Sequence, residues 1–304
     1  MNSKKIIIGT RGSDLALFQA NFIHDQLKDN FDCESEIKII KTTGDKLDQL
    51  SFDKMEGKGF FTKELEEALL NNEIDLAVHS LKDLMTTQPD GLKLGAVGFR
   101  ADRRELLLVN NESFRVNSVF PVNDNCFIGT SSARRKCQIY NLNPTLKIKD
   151  LRGNVPTRVN KLRDKQYDAI IIASAGVNRL NLDLSDLMAI PLDPEIFLPA
   201  PAQGILGMQI RDNDPEVESI ISKLNNINDE KESALERGLL KLFNSGCSLP
   251  LGVYSQIIDS GYRLKAILGQ KKEKSEDWLK LRIVDITGDN IETLVNQAFQ
   301  TLKT

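Results

Sequence analysis

KIIIGTRGSDLALFQANFIHDQLK, residues 5–28, decides the fold. A β-branched run, Ile6 to Ile8, gives way through Gly9 and the polar Arg11-Gly12-Ser13 to a segment that spaces Ala16, Ala20, Ile23 and Leu27 along one helical face. The pattern predicts a strand over 4–10 and a helix from about 14 to 28. A second stretch, CFIGTSSARRKCQIYN at 126–141, repeats the plan. In both, Ile-Gly-Thr (Ile8 to Thr10, Ile128 to Thr130) precedes a Ser-started helix, which reads as two similar lobes.

Working outward, strand-like runs fall at 36–42, 75–80 and 92–97 with a helical pattern at 63–71. A second series places strands near 106–109, 126–130, 146–151 and 168–173, and helices near 133–141 and 155–165. Such alternation predicts α/β sheets. After the Pro-rich FLPAPAQG, 197–204, the pattern changes to a helix (229–243), a glycine-flanked Cys247, three strand-like runs and a final helix (290–302). Asp259-Ser260-Gly261 is a hairpin turn between two of those runs. The expected organisation is one α/β lobe from 1–99 plus about 200–220, a second from 100–199, and a small α+β domain from 221–304.

At 304 residues, with 40% hydrophobic and 27% charged side chains, the chain can bury a sizeable core and carries no signature of long disorder. A net charge of -3 gives no global attraction to nucleic acid or anionic membrane, so any anion must be held by locally gathered cations. The apolar run after Lys5 is too short for a signal peptide or a span, and a cytosolic location is expected. Cys33, Cys126, Cys137 and Cys247 form no CxxC pair and have no histidine at metal-ligand spacing, so each is read singly and no metal is expected.

The arginines fall at strand-to-helix junctions: TRGSDLA, GTSSARRKC and LRGNVPTRV. A cation in the first helical turn opposes the macrodipole, at about 0.3–1 kcal/mol. A bound anion reverses that sign, because free N–H groups at a helix start together with a forked guanidinium form a receptor for carboxylate or phosphate. Arg11, Arg134, Arg135, Arg152 and Arg158 would then converge where the loops meet; singly, each is equally a solvated surface charge. Met55 to Gly59 lacks the glycine and hydroxyl of a Walker loop, and no GxGxxG follows a strand. Carboxylates are the expected anions.

AVHSLKDL, 77–84, sets His79, Ser80, Lys82 and Asp83 just past a buried strand, where open α/β sheets bind ligands. Read alone, Asp83 is equally a turn carboxylate capping the next element. It does not stand alone. GKGFFTKELE, AVHSLKDL, GTSSARR, LRGN, PAPAQG and GCSLPLG occur in the order and spacing of porphobilinogen deaminases, also called hydroxymethylbilane synthases, and over most of its length the chain resembles that family.

The resemblance implies two periplasmic-binding-protein-like α/β lobes plus a C-terminal α+β domain. It implies a cytosolic, monomeric transferase of haem and tetrapyrrole biosynthesis that condenses four porphobilinogen molecules into hydroxymethylbilane and releases ammonia. No nucleic acid, membrane or obligate protein partner is implied. Four such pyrroles carry eight acetate and propionate groups, which gives the basic loops a reason. A dipyrromethane cofactor is implied on Cys247 by thioether, in Gly246-Cys247-Ser248-Leu249-Pro250. Asp83 is implied as both acid and base, helping the amine depart, stabilising the azafulvene left behind and taking up the surplus proton.

The family's other positions map onto Ser13, Lys82, Ser132, Arg134, Arg135 and Arg158 for the cofactor, and onto Arg11, Arg152, Arg179 and Gln203 for substrate. Lys54, Lys58 and Phe61 match its lid loop. Phe61 alone is equally a core aromatic, and Arg179 equally a charge on a helix C-terminus. Departures are Met85 for a common Pro, Pro156 inside LRGNVPTR, Ala202 for Gly and Gln209 for Glu; none removes a group the chemistry needs. Fold alone would also suit a solute-binding or effector-sensing module, or an adaptor using its third domain; Asp83 and Cys247 distinguish the enzyme, since a passive binder needs neither.

Overall fold

A computed structural model describes residues 4–42, 62–116, 118–244, 249–271, 278 and 280–303. The chain divides into two compact units, 1–101 with 204–231 and 102–203 with 232–304.

In the first unit, β1 (Ile6–Thr10), β2 (Ser35–Ile39), β3 (Leu76–Ser80), β4 (Leu92–Gly98) and, much later in the chain, β10 (Leu206–Arg211) lie in the order β2-β1-β3-β10-β4. β1 pairs in parallel with β2 and β3, and β10 runs antiparallel between β3 and β4. Helix α1 (Asp14–Phe31) buries Ala20, Ile23 and Leu27 against Ile6, Ile8, Leu76 and Met208. Helix α2 (Lys63–Leu70) packs Leu65 and Leu69 with Ile74, Ala77 and Leu92, on the opposite face by strand parity. Each large apolar side chain so buried contributes about 1.5–3 kcal/mol.

The second unit repeats this plan. Its strands β5 (Glu105–Val109), β6 (Phe127–Gly129), β7 (Lys147–Lys149), β8 (Ala169–Ala173) and β9 (Met188–Pro191) lie in the order β7-β6-β8-β5-β9, with β5 antiparallel between β8 and β9. Helix α3 (Ala133–Leu142) follows β6, α4 (Val155–Arg163) follows β7 and α5 (Ser174–Leu180) follows β8. The internal repeat therefore reaches well beyond three residues. Asp75 precedes β3 and Asp168 precedes β8, and each accepts from an N–H of the parallel neighbour strand, Ile7 of β1 at 3.0 Å and Phe127 of β6 at 2.7 Å. A Cβ at Gly9 would overlap Ile74, and one at Gly129 would meet Tyr167 and Ile170, so both Ile-Gly-Thr motifs carry glycine for close approach.

The same unit holds a three-stranded antiparallel sheet, β11 (Leu251–Ile258), β12 (Gly261–Leu268) and β13 (Arg282–Gly288). Helix α8 (Ile291–Lys303) and α7 (Ile227–Leu242) supply Leu294, Ala298, Leu235 and Leu239 to its core. The hairpin lies at 259–260, with Gly261 at φ 126°. Strands β9 and β10, α5 and the short helix α6 (Pro215–Ile221) carried no clear sequence pattern. In β10 the reason is visible: all six residues are buried, Gln209 and Arg211 included, so polar and apolar side chains do not alternate with exposure. Arg211 is satisfied by the carbonyls of Leu69 and Ile74 and by Asp75 and Asp214.

FLPAPAQG forms a buried strap. Gln138 holds both the N–H and the carbonyl of Leu198. Ala202, at φ 60°, sits where an L residue costs about 1–2 kcal/mol, and its N–H donates to Glu236 Oε2 at 2.6 Å.

Candidate functional site

β3 carries Leu76 to His79 into the core, and the chain leaves the sheet at Ser80 through a single 3-10 turn, Leu81–Asp83. Leu81 pins that turn. Its side chain is fully buried and lies against Gly207, and its N–H donates to the Ile205 carbonyl at 2.9 Å. With Leu81 inward, Lys82 is half-buried and Asp83 exposed. Ser80 Oγ accepts from Gln19 Nε2 at 2.8 Å, which ties the turn to α1. Arg11 and Ser13 leave β1 at the same carboxyl edge of the sheet, Ser13 as the N-cap of α1 with its side chain bonded to no helical N–H. In the first lobe the structure therefore brings Arg11, Ser13, Lys82 and Asp83 to one sheet edge.

Beneath this edge lies a network missed in the sequence. His79 Nε2 is 3.0 Å from Gln209 Oε1, and the Gln209 amide nitrogen donates to Gln88 Oε1 at 2.8 Å and Glu66 Oε1 at 3.3 Å. Two acceptors fix the amide, so its oxygen faces the imidazole and Nε2 is the protonated ring nitrogen. Burial pushes the His79 pKa down to about 4; the Gln209 bond opposes this and the Arg11 charge adds to it. His79 is thus neutral at physiological pH.

In the second lobe the carboxyl edge carries Ser131, Ser132, Arg152 and Arg158. Ser131 Oγ donates to the Leu151 carbonyl at 3.0 Å and accepts from its N–H at 3.1 Å, joining the exits of β6 and β7. Ser132 is the N-cap of α3 and, like Ser13, makes no side-chain cap bond. Asn154 caps α4 by accepting from Thr157 N–H at 2.9 Å, and Pro156 sits harmlessly in the first turn. Arg158 Nε donates to the Gly153 carbonyl at 2.6 Å; Arg152 and Arg158 are half-buried.

Arg134 and Arg135 open α3 just after its N-cap, Ser132. Both are only 6% exposed and turn inward onto Glu105, which is fully buried. Arg134 Nη2 donates to Glu105 Oε1 at 2.6 Å, and Arg135 Nη2 and Nε donate to Oε2 at 2.7 and 3.1 Å. Burial lowers the Arg134 pKa, against the raising effect of Glu105. Glu105 escaped the sequence reading; the signal was a carboxylate opening the otherwise apolar ELLLV. Arg179 occupies the last turn of α5, its pKa pushed down to about 10 by burial. Gln203 has no accessible surface and donates through Nε2 to the Arg103 carbonyl at 2.9 Å, which helps fasten the strap.

Lys54, Lys58, Phe61 and Cys247 lie outside the described residues. Beyond the cysteine motif's described end, the Pro250 carbonyl lies 4.0 Å from Cys137 Sγ on α3. Cys33 and Cys137 are core residues and Cys126 is half-buried. Burial pushes the Cys137 thiol up to about 12, which leaves it inert as a nucleophile. Among the described residues no cluster suited to a metal ion occurs, and no helix is long and apolar enough to cross a membrane.

Comparison with known proteins gives concordant matches. The family model described as porphobilinogen deaminase, dipyromethane cofactor binding domain, matches residues 6–219, and the porphobilinogen deaminase C-terminal domain matches 231–294. A porphobilinogen deaminase of Sulfurimonas denitrificans is 44% identical over 88% of this chain and 84% of its own. That of Clostridium novyi is 39% identical over 88% and 89%, and that of Chlorobium phaeobacteroides 40% identical over 98% and 91%. Among solved structures, the methionine-binding protein MetQ is 13% identical with a TM-score of 0.44, covering 77% of this chain and 94% of that one.

Proposed function

The chain belongs to the porphobilinogen deaminase family, and from that premise we propose that Asp83 is the residue through which it moves protons as porphobilinogen units are joined into hydroxymethylbilane. The observation that carries this reading is the pinned turn at the end of β3, which leaves Asp83 exposed on the edge that also bears Arg11 and Lys82. Arg11 and Lys82 take substrate carboxylates in the first lobe, and Ser132, Arg152 and Arg158 do so in the second; Arg179 adds a further cation. The aminomethyl C–N bond breaks with its electron pair on nitrogen, and ammonia leaves from the protonated amine that Asp83 holds. The carboxylate then stabilises the cationic pyrrole left behind. Once the new C–C bond has formed, Asp83 accepts the proton displaced from the attacking carbon.

The residues present fit a dipyrromethane. Two guanidiniums on one buried carboxylate, beside the uncommitted Ser132 hydroxyl at a helix start, suit a ligand bearing several carboxylates. Held by thioether to Cys247, that group supplies the nucleophilic pyrrole carbon on which the chain begins. Arg134, Arg135, Ser132, Arg158, Lys82 and Ser13 would hold its side chains, and Lys54, Lys58 and Phe61 would belong to a covering loop. We place the reaction in the cytoplasm, on a small-molecule substrate, with no nucleic acid, membrane or obligate protein partner. The domain of 221–304 acts in this scheme as the cofactor carrier, and 1–99 plus about 200–220 and 100–199 form the two lobes.

Two measurements test this. Asp83→Asn abolishes ammonia release with the fold intact; release at the wild-type rate excludes Asp83. The denatured intact mass of the wild type exceeds that of the chain by two linked pyrrole units, and Cys247→Ser lacks the excess; an unmodified yet fully active wild type overturns the cofactor assignment.

A further inference from the structure

Counted from their N-caps, Ser13 and Ser132, α1 and α3 match position for position: the buried Gln19 and Ala20 of one correspond to the buried Gln138 and Ile139 of the other. The strands match in register as well. Ile8 faces Leu76 as Ile128 faces Ala169, and Leu206 faces Ser80 as Glu105 faces Ala173. The places held in the second lobe by Arg134, Arg135 and Glu105 are thus held in the first by Leu15, Ala16 and Leu206. One lobe fills with uncharged side chains what the other fills with a buried ionic triad. Such triads are generally no more stabilising than apolar residues of similar volume. The scaffold does not demand this one, so its presence has another cause.

The charge count supplies it. Among the described residues, Glu105 is the only carboxylate paired with either arginine, which leaves a surplus positive charge at the start of a ten-residue helix whose own dipole adds to it. The two guanidiniums carry ten N–H donors. Glu105 takes three, and the carbonyls of Leu198 and Ile171 take one each at 2.8 Å. Both planar forks are therefore locked from the Glu105 side, with half their donors left over among the described residues.

We infer that Glu105 is a positioning residue for cofactor binding: it fixes Arg134 and Arg135 in one orientation, with surplus positive charge, to receive the acetate and propionate carboxylates of the dipyrromethane. The inference rests on the family reading above. Glu105 reaches both guanidiniums at once, and aspartate, one methylene shorter, is expected to loosen at least one of these bonds. In metal sites, losing a partner that orients a ligand-binding group costs about 10–100-fold in affinity, and an effect of that order is expected here.

The test follows loading of apoprotein by porphobilinogen, read as the mass excess of the denatured chain over time, beside thermal melting of each variant. Glu105→Asp and Glu105→Gln load about tenfold or more slowly than wild type, while Val253→Ala, a core truncation in the C-terminal sheet, loads normally at a comparable melting temperature. The triple variant Glu105→Leu, Arg134→Leu, Arg135→Ala, which borrows the first lobe's residues, melts at or above the wild-type temperature and does not load. Wild-type loading of Glu105→Asp overturns the inference, as does loading that falls with stability alike in Glu105→Asp and Val253→Ala, or a triple variant that melts far below wild type. If Glu105→Gln does not fold, Glu105→Asp decides. Failure of the family reading itself looks different, since wild type would then gain no pyrrole mass and release no ammonia.

Discussion

Replacing His79 by glutamine removes a pH dependence of stability that the buried imidazole builds into the first lobe. Folding lowers the His79 pKa from 6.5 to about 4, mainly because burial disfavours the cation. Between those values the unfolded chain binds the proton and the folded chain does not, so stability falls as pH falls through this window and the loss is complete below about pH 4. At 1.36 kcal/mol per pKa unit the whole window is worth roughly 3 kcal/mol. The charged and polar groups facing the ring are Arg11, whose cation deepens the shift, and Gln209, which links it to Glu66 and Gln88. Urea unfolding of wild type and His79→Gln at pH 7, 6, 5 and 4 checks this, because carboxylate titrations common to both cancel in the difference. The wild-type advantage over the variant should shrink by roughly 3 kcal/mol from pH 7 to pH 4. The chain has two histidines, so an NMR titration assigns the residue directly. A parallel pair of stability curves, or a His79 midpoint near 6.5, refutes the reasoning.

Gln209→Glu sets a carboxylate against His79 Nε2 and beside Glu66, so the His79 pKa rises from its wild-type value; a midpoint unmoved by the substitution would mean that Gln209 does not face the ring. Burial opposes ionisation of Asp214, but bonds from Arg211, the Val217 N–H and Lys4 outweigh it and hold its pKa down to about 2. Its stabilisation is therefore present above 3.8 and lost as pH falls through about 2, and Asp214→Asn melts with less dependence on pH over that range than wild type. Asp168→Ala strips the acceptor from the part-buried Phe127 N–H at the start of β6; an unmet donor costs about 1–3 kcal/mol when fully buried and correspondingly less here, read as a lowered urea midpoint with unchanged slope.

The elements legible in the sequence were the amphipathic face of α1, which follows the helical period, and the short continuous apolar runs of β1, β5 and β8, which are almost wholly buried; the Ser-started helices announced their own N-caps. Buried polar residues were the illegible part. Gln209, Arg211, Glu105 and Glu236 read as surface positions until partners distant in the chain appear: His79 across 130 residues, Asp75 across 136, Arg135 across 30 and Ala202 across 34. The same limit governs the site. Asp83 lies in the turn just after a strand that the pattern predicts, whereas the inward turn of Arg134 and Arg135 depends on Glu105, which precedes their helix by almost thirty residues.

The duplicated lobes show how one backbone plan accommodates two kinds of site. Asp75 and Asp168 fix β3 to β1 and β8 to β6, and Gly9 and Gly129 leave room for the side chains of Ile74, Tyr167 and Ile170, so the loops at the carboxyl edge begin from matching positions. From there the sequences diverge by what each loop must do. At the end of β3 the chain makes Leu81-Lys82-Asp83, a short turn whose buried leucine thrusts an acid outward; at the matching place after β8, Ser174-Ala175-Gly176 continues into a helix and offers no titratable group. The charge investment of the second lobe lies at α3 instead, where Leu15 and Ala16 of the first lobe have become Arg134 and Arg135. The acid at the strand exit thereby stands in one lobe and the buried cation pair in the other, without altering the hydrogen-bonded frame that both share.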